Sequence, residues 1–422
     1  MNFRTRRIKL KKKSNRLEKT FTLYFIILII ISTINNLLIN RNYYNVWTIG
    51  EWLINYEGGF VRRGLFGSII YKLSYILNIS PILLVQFLTI LFFISFLYLL
   101  KDCRKYFSSL FLLSPIVSLS PLLGNYLVRK DVSGIVAYAL CTNLIIKEKN
   151  FTNFLLINLI CSISILNHES YFFYSVPSLC LLHYLSSKNL NSNNNFLKIY
   201  KTIIYIIPTL IISILVFYFN GNYEVAYKIN QSWLNLSSII NIKQFINPFF
   251  PSGAIGSLSW TFNKGISLPL SIFNSFDGRG LIWIPAVWML SIFICAQIFI
   301  GDKENLNRKI KTNVLLLQLT FISPLFILGW DFGRWIFLWI SSSIFLTISL
   351  IRLESVNKND LSNLDKICPK ILTKLFVGFE LNGFKKLIYL LISIPHCCWT
   401  IRNYLETLPI FFPFQIFLNN NY

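Results

Sequence analysis

The sequence is short of charge, and shorter still of acid. Charged residues occupy 14% of its 422 positions, and 17 Asp plus Glu face 40 Lys plus Arg. A soluble fold of this size needs more polar cover than that, so a large water-soluble domain is excluded. Also missing are a Walker motif, a dinucleotide fingerprint and any internal repeat or heptad, so no nucleotide is bound through those devices. The eight cysteines are scattered, several inside apolar blocks such as Cys161 and Cys295. Cys397–Cys398 are adjacent, which is no metal spacing, so neither a disulfide framework nor a zinc site is expected.

What is present is apolar: 54% of residues are hydrophobic, and the mean hydropathy is +0.56. These residues fall in blocks such as Thr20–Asn40, Pro81–Leu100, Ile199–Asn220, Leu281–Ile300 and Trp335–Ile351. About 20 such residues cross a hydrocarbon layer of about 30 Å as a helix. Backbone groups there must bond internally, so the expected fold is an all-α polytopic transmembrane helix bundle of roughly 10–12 spans.

In a soluble protein the formal charge of +23 would suggest nucleic acid. Here the basic residues lie mainly between apolar blocks, where they act as topology signals and lipid headgroup contacts. Nine of them precede the first block, in residues 1–19. That block lacks a cleavage site, so the amino end is expected in the cytoplasm. Later basic turns at Lys101–Lys105, Lys147–Lys149, Lys188–Lys201, Lys303–Lys311 and Arg352–Lys366 mark the same side. Between them Phe107–Leu123, Val132–Ile146, Phe151–Leu166, Tyr171–Ser186 and Thr312–Leu328 read as further spans. The bundle then covers residues 20–352. Its outer loops are 41–80, 124–131, 167–170, 221–279 and 329–334. Residues 353–422 add one or two membrane or interfacial helices. Loop 221–279 is long enough to fold over an opening.

The unusual polar residues fall on the outer side. Glu51 and Tyr56-Glu-Gly-Gly-Phe-Val-Arg-Arg-Gly64 lie in the first outer loop, and Arg129, Lys130 and Asp131 in the second. The pair His168-Glu169 forms the third, and Gly329-Trp-Asp-Phe-Gly-Arg-Trp335 holds Asp331 and Arg334. Charges at span ends are costly unless paired or turned to a cavity. Arg62 and Arg63 outside run against the positive-inside bias, and guanidinium forks match phosphate. Glu57 beside them can serve as general base or only orient the arginines. His168-Glu169 reads as a base with its partner, as a membrane-edge hydrogen bond, or with Asp131 as a site for a divalent cation. Asp331 and Arg334, three apart, can pair or line a cavity. The four clusters are expected to converge, with Arg129 and Lys130 adding to the phosphate grip.

These segments, the cytoplasmic amino end and the acids in the first two outer loops resemble the GT-C class of membrane glycosyltransferases. The two glycine-rich segments also look like motifs of poorly characterised bacterial multi-pass membrane proteins, which points to a bacterial inner membrane. The resemblance implies transfer of a sugar from a polyprenyl-phosphate donor on the non-cytoplasmic face. An acid of the first loop would be base or acceptor-positioning group, by position Glu57 or Glu51. Asp131 would match the second-loop acid, and His168-Glu169 is similar to His/Glu-containing loops of some members. The first loop departs from the pattern in having no Asp-x-Asp. The alternatives are a polymerase or ligase of polysaccharide repeats, and a transporter or flippase of lipid-linked saccharides. The expected partners are the lipid-linked saccharide and membrane lipids, with no nucleic acid.

Overall fold

The computed structural model describes the chain except residues 1–2, 40–44, 148–149, 187–194, 237–245, 262, 268–270, 272–279, 303–307, 357–383, 397–400 and 420–422. Among the sequence markers, Lys149, Lys188, Lys303, Lys358, Lys366 and Cys397–Cys398 lie outside the described residues. The described residues are all-helical, with no strand among them. In chain order the helices are α1 (Phe3–Ile34), α2 (Thr48–Leu53), α3 (Gly64–Leu77), α4 (Pro81–Cys103), α5 (Ser109–Leu112) and α6 (Ser120–Leu123). Then come α7 (Asp131–Ile146), α8 (Phe151–Asn167), α9 (Ser170–Ser186), α10 (Asn195–Tyr218), α11 (Tyr223–Leu236) and α12 (Gly253–Gly256). The last are α13 (Gly280–Gly301), α14 (Arg308–Leu328), α15 (Phe332–Val356), α16 (Phe384–Leu391), α17 (Ile401–Glu406) and α18 (Phe412–Asn419).

Among the described residues, five helical stretches are long and apolar enough to cross a membrane: Leu17–Leu37, Pro81–Cys103, Phe196–Tyr218, Arg308–Leu328 and Phe332–Leu353. Burial sorts them. The best apolar window of α15 is 83% buried and that of α4 only 22%. Helix α15 is therefore the central pillar, packed on α7, α9 and α14, and α4 turns most of its apolar surface outward. Helices α7, α8 and α9 are shorter, at 16 or 17 residues; α7 and α9 pack on that pillar and α8 packs behind them.

One expected span is corrected. Phe107–Leu123 is no single helix but two four-residue turns, α5 and α6, joined by irregular backbone. Pro115 and Pro121 cannot donate backbone hydrogen bonds, and serines take over the pairing. Ser118 Oγ donates to Leu112 O at 2.7 Å, and Asn36 Nδ2 to Leu122 O at 3.0 Å. Irregular backbone at this depth is tolerated because the segment is buried in protein. Its two ends are tied to different elements, Leu122 to Asn36 just past the end of α1. Ser108 bonds Asp302 at one end, and beyond the other end Trp52 Nε1 donates to Val128 O.

That second end is capped by α2, α11 and α12. Trp233 of the amphipathic α11 is buried and donates from Nε1 to Leu53 O at 2.7 Å. Ala254, Ser257 and Trp260 of the long loop line the cavity, so this part of the loop supplies one of its walls. At the carboxyl end, α16 and α18 are eight residues each, too short to span.

Candidate functional site

Helices α3, α7, α9 and α15 begin at the capped end. Each leads with the residues singled out above, so their positive dipole ends gather where anions would be favoured. Glu51 rides on α2, and the Arg62-Arg63 turn joins that region to α3. Arg63 holds φ at +66°, a left-handed conformation that a side chain disfavours. Gly67 lets the turn close: a Cβ there would sit 1.8 Å from Ile54 O.

All four clusters meet there in one ionic network. Arg63 Nε donates to Glu169 Oε2 at 2.8 Å, and its Nη2 to Oε1. Arg62 Nη1 reaches the same Oε1 at 3.3 Å. Arg129 Nη1 donates to Glu51 Oε1 at 2.5 Å. Around that oxygen also stand Arg334 Nη2 at 3.6 Å, His168 Nε2 at 3.8 Å and Arg63 Nη1 at 4.0 Å. Arg334 grips Asp131 with two bonds, at 2.7 and 3.1 Å, and Asp331 with one at 2.6 Å.

A cavity of about 830 Å³ opens onto this network. Glu51, Arg62, Arg63, Arg129, His168, Glu169, Asp331 and Arg334 line it. So do Phe173 of α9, Phe217 of α10, and Leu325 and Leu328 of α14, which give it an apolar flank made of bundle helices. Several buried polar atoms of the lining form no hydrogen bond among the described residues: Glu51 Oε2, Arg62 Nε, Arg129 Nε, His168 Nε2, Trp335 Nε1 and His396 Nε2. Buried groups of this kind are ready for a ligand.

Three expected site residues stand apart from the cavity. Glu57 is exposed and not among the lining, because the glycine turn after it swings the side chain outward. Lys130 is buried, and its ammonium bonds Arg63 O at 3.1 Å and Asn167 O at 3.2 Å. It therefore ties two loops together instead of facing a phosphate. Asp131 lies behind Arg334 and spends both oxygens on it. The divalent alternative at Asp131 and His168-Glu169 fares no better. Among the described residues no group of three His, Cys, Asp or Glu is placed to hold a metal.

Charge states follow from burial and partners. Burial alone would raise the Glu51 carboxyl, but Arg129, Arg334 and His168 hold it well below the usual range. Burial opposes ionisation of Glu169 too, and Arg63 and Arg62 outweigh it. Burial, reinforced by Arg63, pushes the His168 imidazole down, so it is neutral at pH 7. Burial brings the Lys130 ammonium down to about 7. The arrangement is thus ionised carboxylates clamped by arginines.

Comparison with protein-family models, with curated proteins and with solved structures finds no match for this chain. Its chemistry has to be read from the site itself. One lining residue carries little signal alone in the sequence. His396 has no acid beside it along the chain, yet its Nε2 lies 3.3 Å from Asp331 Oδ1.

Proposed function

We propose that the chain is a multi-pass membrane glycosyltransferase of the GT-C kind. It moves a sugar from a polyprenyl-phosphate donor to an acceptor on the non-cytoplasmic face of a bacterial inner membrane. The observation that carries this reading is the cavity: arginines and helix N-termini on one side, apolar side chains of membrane helices on the other. A lipid phosphate needs both. Arginine forks suit the phosphate, and Phe217, Leu325 and Leu328 suit the first isoprene units.

Counting the broken segment between α4 and α7 with α1, α4, α7 to α10 and α13 to α15 supports about ten crossings. Basic residues gather at the end opposite the cavity, at Lys101, Arg104, Lys105 and Lys309, which supports a cytoplasmic location for that end. Exposed aromatic residues, Tyr218, Phe249 and Phe250, sit near the cavity end, as at a headgroup layer.

In this reading Glu169 fills the Arg62–Arg63 fork until a phosphate takes its place. The free oxygen of Glu51 then accepts a hydrogen bond from the acceptor hydroxyl, and the arginines stabilise charge on the leaving phosphate. A transporter needs a path open in turn to both faces, and this cavity lies at one end.

The test is binding of a polyprenyl phosphate to the purified protein, followed by analysis of lipid-linked saccharides in cells with and without the gene. Arg62→Ala and Arg63→Ala should each weaken binding by about tenfold or more, in line with a charge-assisted bond worth about 1.5–3 kcal/mol. Unchanged affinity in both variants would rule out the phosphate site.

A further inference from the structure

Transfer to a hydroxyl needs a group that takes its proton, and the carboxylates of this site are poorly suited to it. Glu51 and Glu169 are each clamped by cations, which lowers their affinity for a proton. Two imidazoles face the same cavity. His168 Nδ1 accepts the Ser170 N–H at 3.2 Å, so its proton sits on Nε2, directed at Glu51. That tautomer has no lone pair left for an acceptor.

His396 differs. Its Nε2 lies 3.3 Å from Asp331 Oδ1, and the other Asp331 oxygen accepts from Arg334 Nη1 at 2.6 Å. The carboxylate is thus fixed and stands against Nε2, an approach without a hydrogen bond among the described residues that favours the tautomer with the proton on Nε2. Neither ring nitrogen forms a hydrogen bond among the described residues, and Nε2 is the one of the two that is sealed from its surroundings. The backbone holds the residue in place. Gly333 N–H donates to His396 O at 3.2 Å, and a Cβ on Gly333 would lie 2.1 Å from Pro395 O. Ile392 to Pro395 are buried, so the segment that carries His396 to the cavity is packed into the bundle. Facing the ring are Asp331 and Arg334 from the α14–α15 junction, and Tyr126 and Arg129 from the segment before α7.

We propose that His396, oriented by Asp331, is the general base of the transfer, a reading that rests on the glycosyltransferase proposal above. Nδ1 takes the proton of the acceptor hydroxyl while the acceptor oxygen bonds to the anomeric carbon. The bond from that carbon to the phosphate oxygen breaks, and its electron pair leaves with the lipid phosphate. The imidazolium is stabilised by Asp331 and gives its proton to water as product departs. Glu51 keeps the arginines and the acceptor in place. Burial lowers the proton affinity of His396, with Asp331 opposing, so the ring is neutral and ready near pH 7.

Two measurements test this. Carbethoxylation with diethyl pyrocarbonate, mapped by mass spectrometry, reads all three histidines at once. His396 should react faster than the buried His183, and a polyprenyl phosphate should protect it. Asp331→Asn should move its pH midpoint lower, because the imidazolium loses its anion. In turnover assays His396→Asn should lose about 10²–10⁴-fold in kcat, with donor KM little changed and the acid limb of the pH profile gone. Added imidazole should partly restore His396→Gly. A His396 no more reactive than His183, or a His396→Asn protein with parental kcat and pH limb, overturns the assignment. The labelling does not depend on turnover. A chain that transfers no sugar yet holds a reactive, Asp331-dependent His396 defeats the glycosyltransferase reading and leaves the dyad standing as a base.

Discussion

Replacing Arg334 by Gln tests the physical core of the site. The side chain is 2% exposed and serves Asp131 with two bonds, Asp331 with one, and Glu51 at 3.6 Å. Glu51 would keep Arg129, and Asp331 would keep His396. Asp131 would keep no ionic partner, since Arg334 is its only one among the described residues. Leaving one buried charge uncompensated costs about 3–5 kcal/mol. At about 2 °C per kcal/mol for a large chain, Arg334→Gln should melt about 6–10 °C below the parent. Thermal unfolding followed by tryptophan fluorescence measures it, with Trp335 lying 5.2 Å from the guanidinium. Asp131→Asn should recover part of the loss when combined with Arg334→Gln, giving a coupling energy of about 2 kcal/mol. Arg62, with 23% of its side chain exposed, is the control, and Arg62→Gln should cost about 1 kcal/mol or less. An Arg334→Gln protein melting within about 2 °C of the parent, or a double variant no better than the single, would refute the network as a source of stability.

Glu57→Gln should keep turnover within about twofold and Glu51→Gln should lose at least tenfold, because only Glu51 lines the cavity; equal effects in a purified-enzyme assay would contradict the cavity assignment. Lys130 is pushed down to about 7 in the fold from an ordinary 10.5. Between those values the unfolded chain binds more protons, so stability should rise with pH across that window, by at most about 1.4 kcal/mol per unit. Lys130→Met should flatten that slope, and a melting-temperature series from pH 6 to 10 reads it. Gly333→Ala drives a Cβ into Pro395 O, so it should displace His396 and cut kcat sharply with little change in phosphate binding. Parental kcat would show that the segment yields.

Much of the fold was legible because apolar length is a local property. The windows in α1, α4, α10, α14 and α15 follow from composition along the chain. Phe107–Leu123 misled for the same reason: hydropathy counts apolar residues and takes no account of two prolines and the serines that satisfy the freed carbonyls. The site was half legible. Charges at span ends demand partners, so Glu51, Arg62, Arg63, Arg129, His168, Glu169, Asp331 and Arg334 could be singled out one by one.

The sequence by itself determined that the chain belongs in a bilayer and that costly charges cluster at one set of loops. Hydrocarbon penalises every unpaired polar group wherever the chain later runs. Which carboxylate faces the cavity was decided only by tertiary structure. Glu51 and Glu57 are six residues apart and alike in chemistry, but one is 1% exposed beneath Arg129 and the other faces outward. The same holds for His396, brought to Asp331 by a backbone contact at Gly333 that no local pattern encodes. Span and charge cost are set residue by residue, whereas pairing depends on which distant segments the packing around α15 brings within about 3 Å.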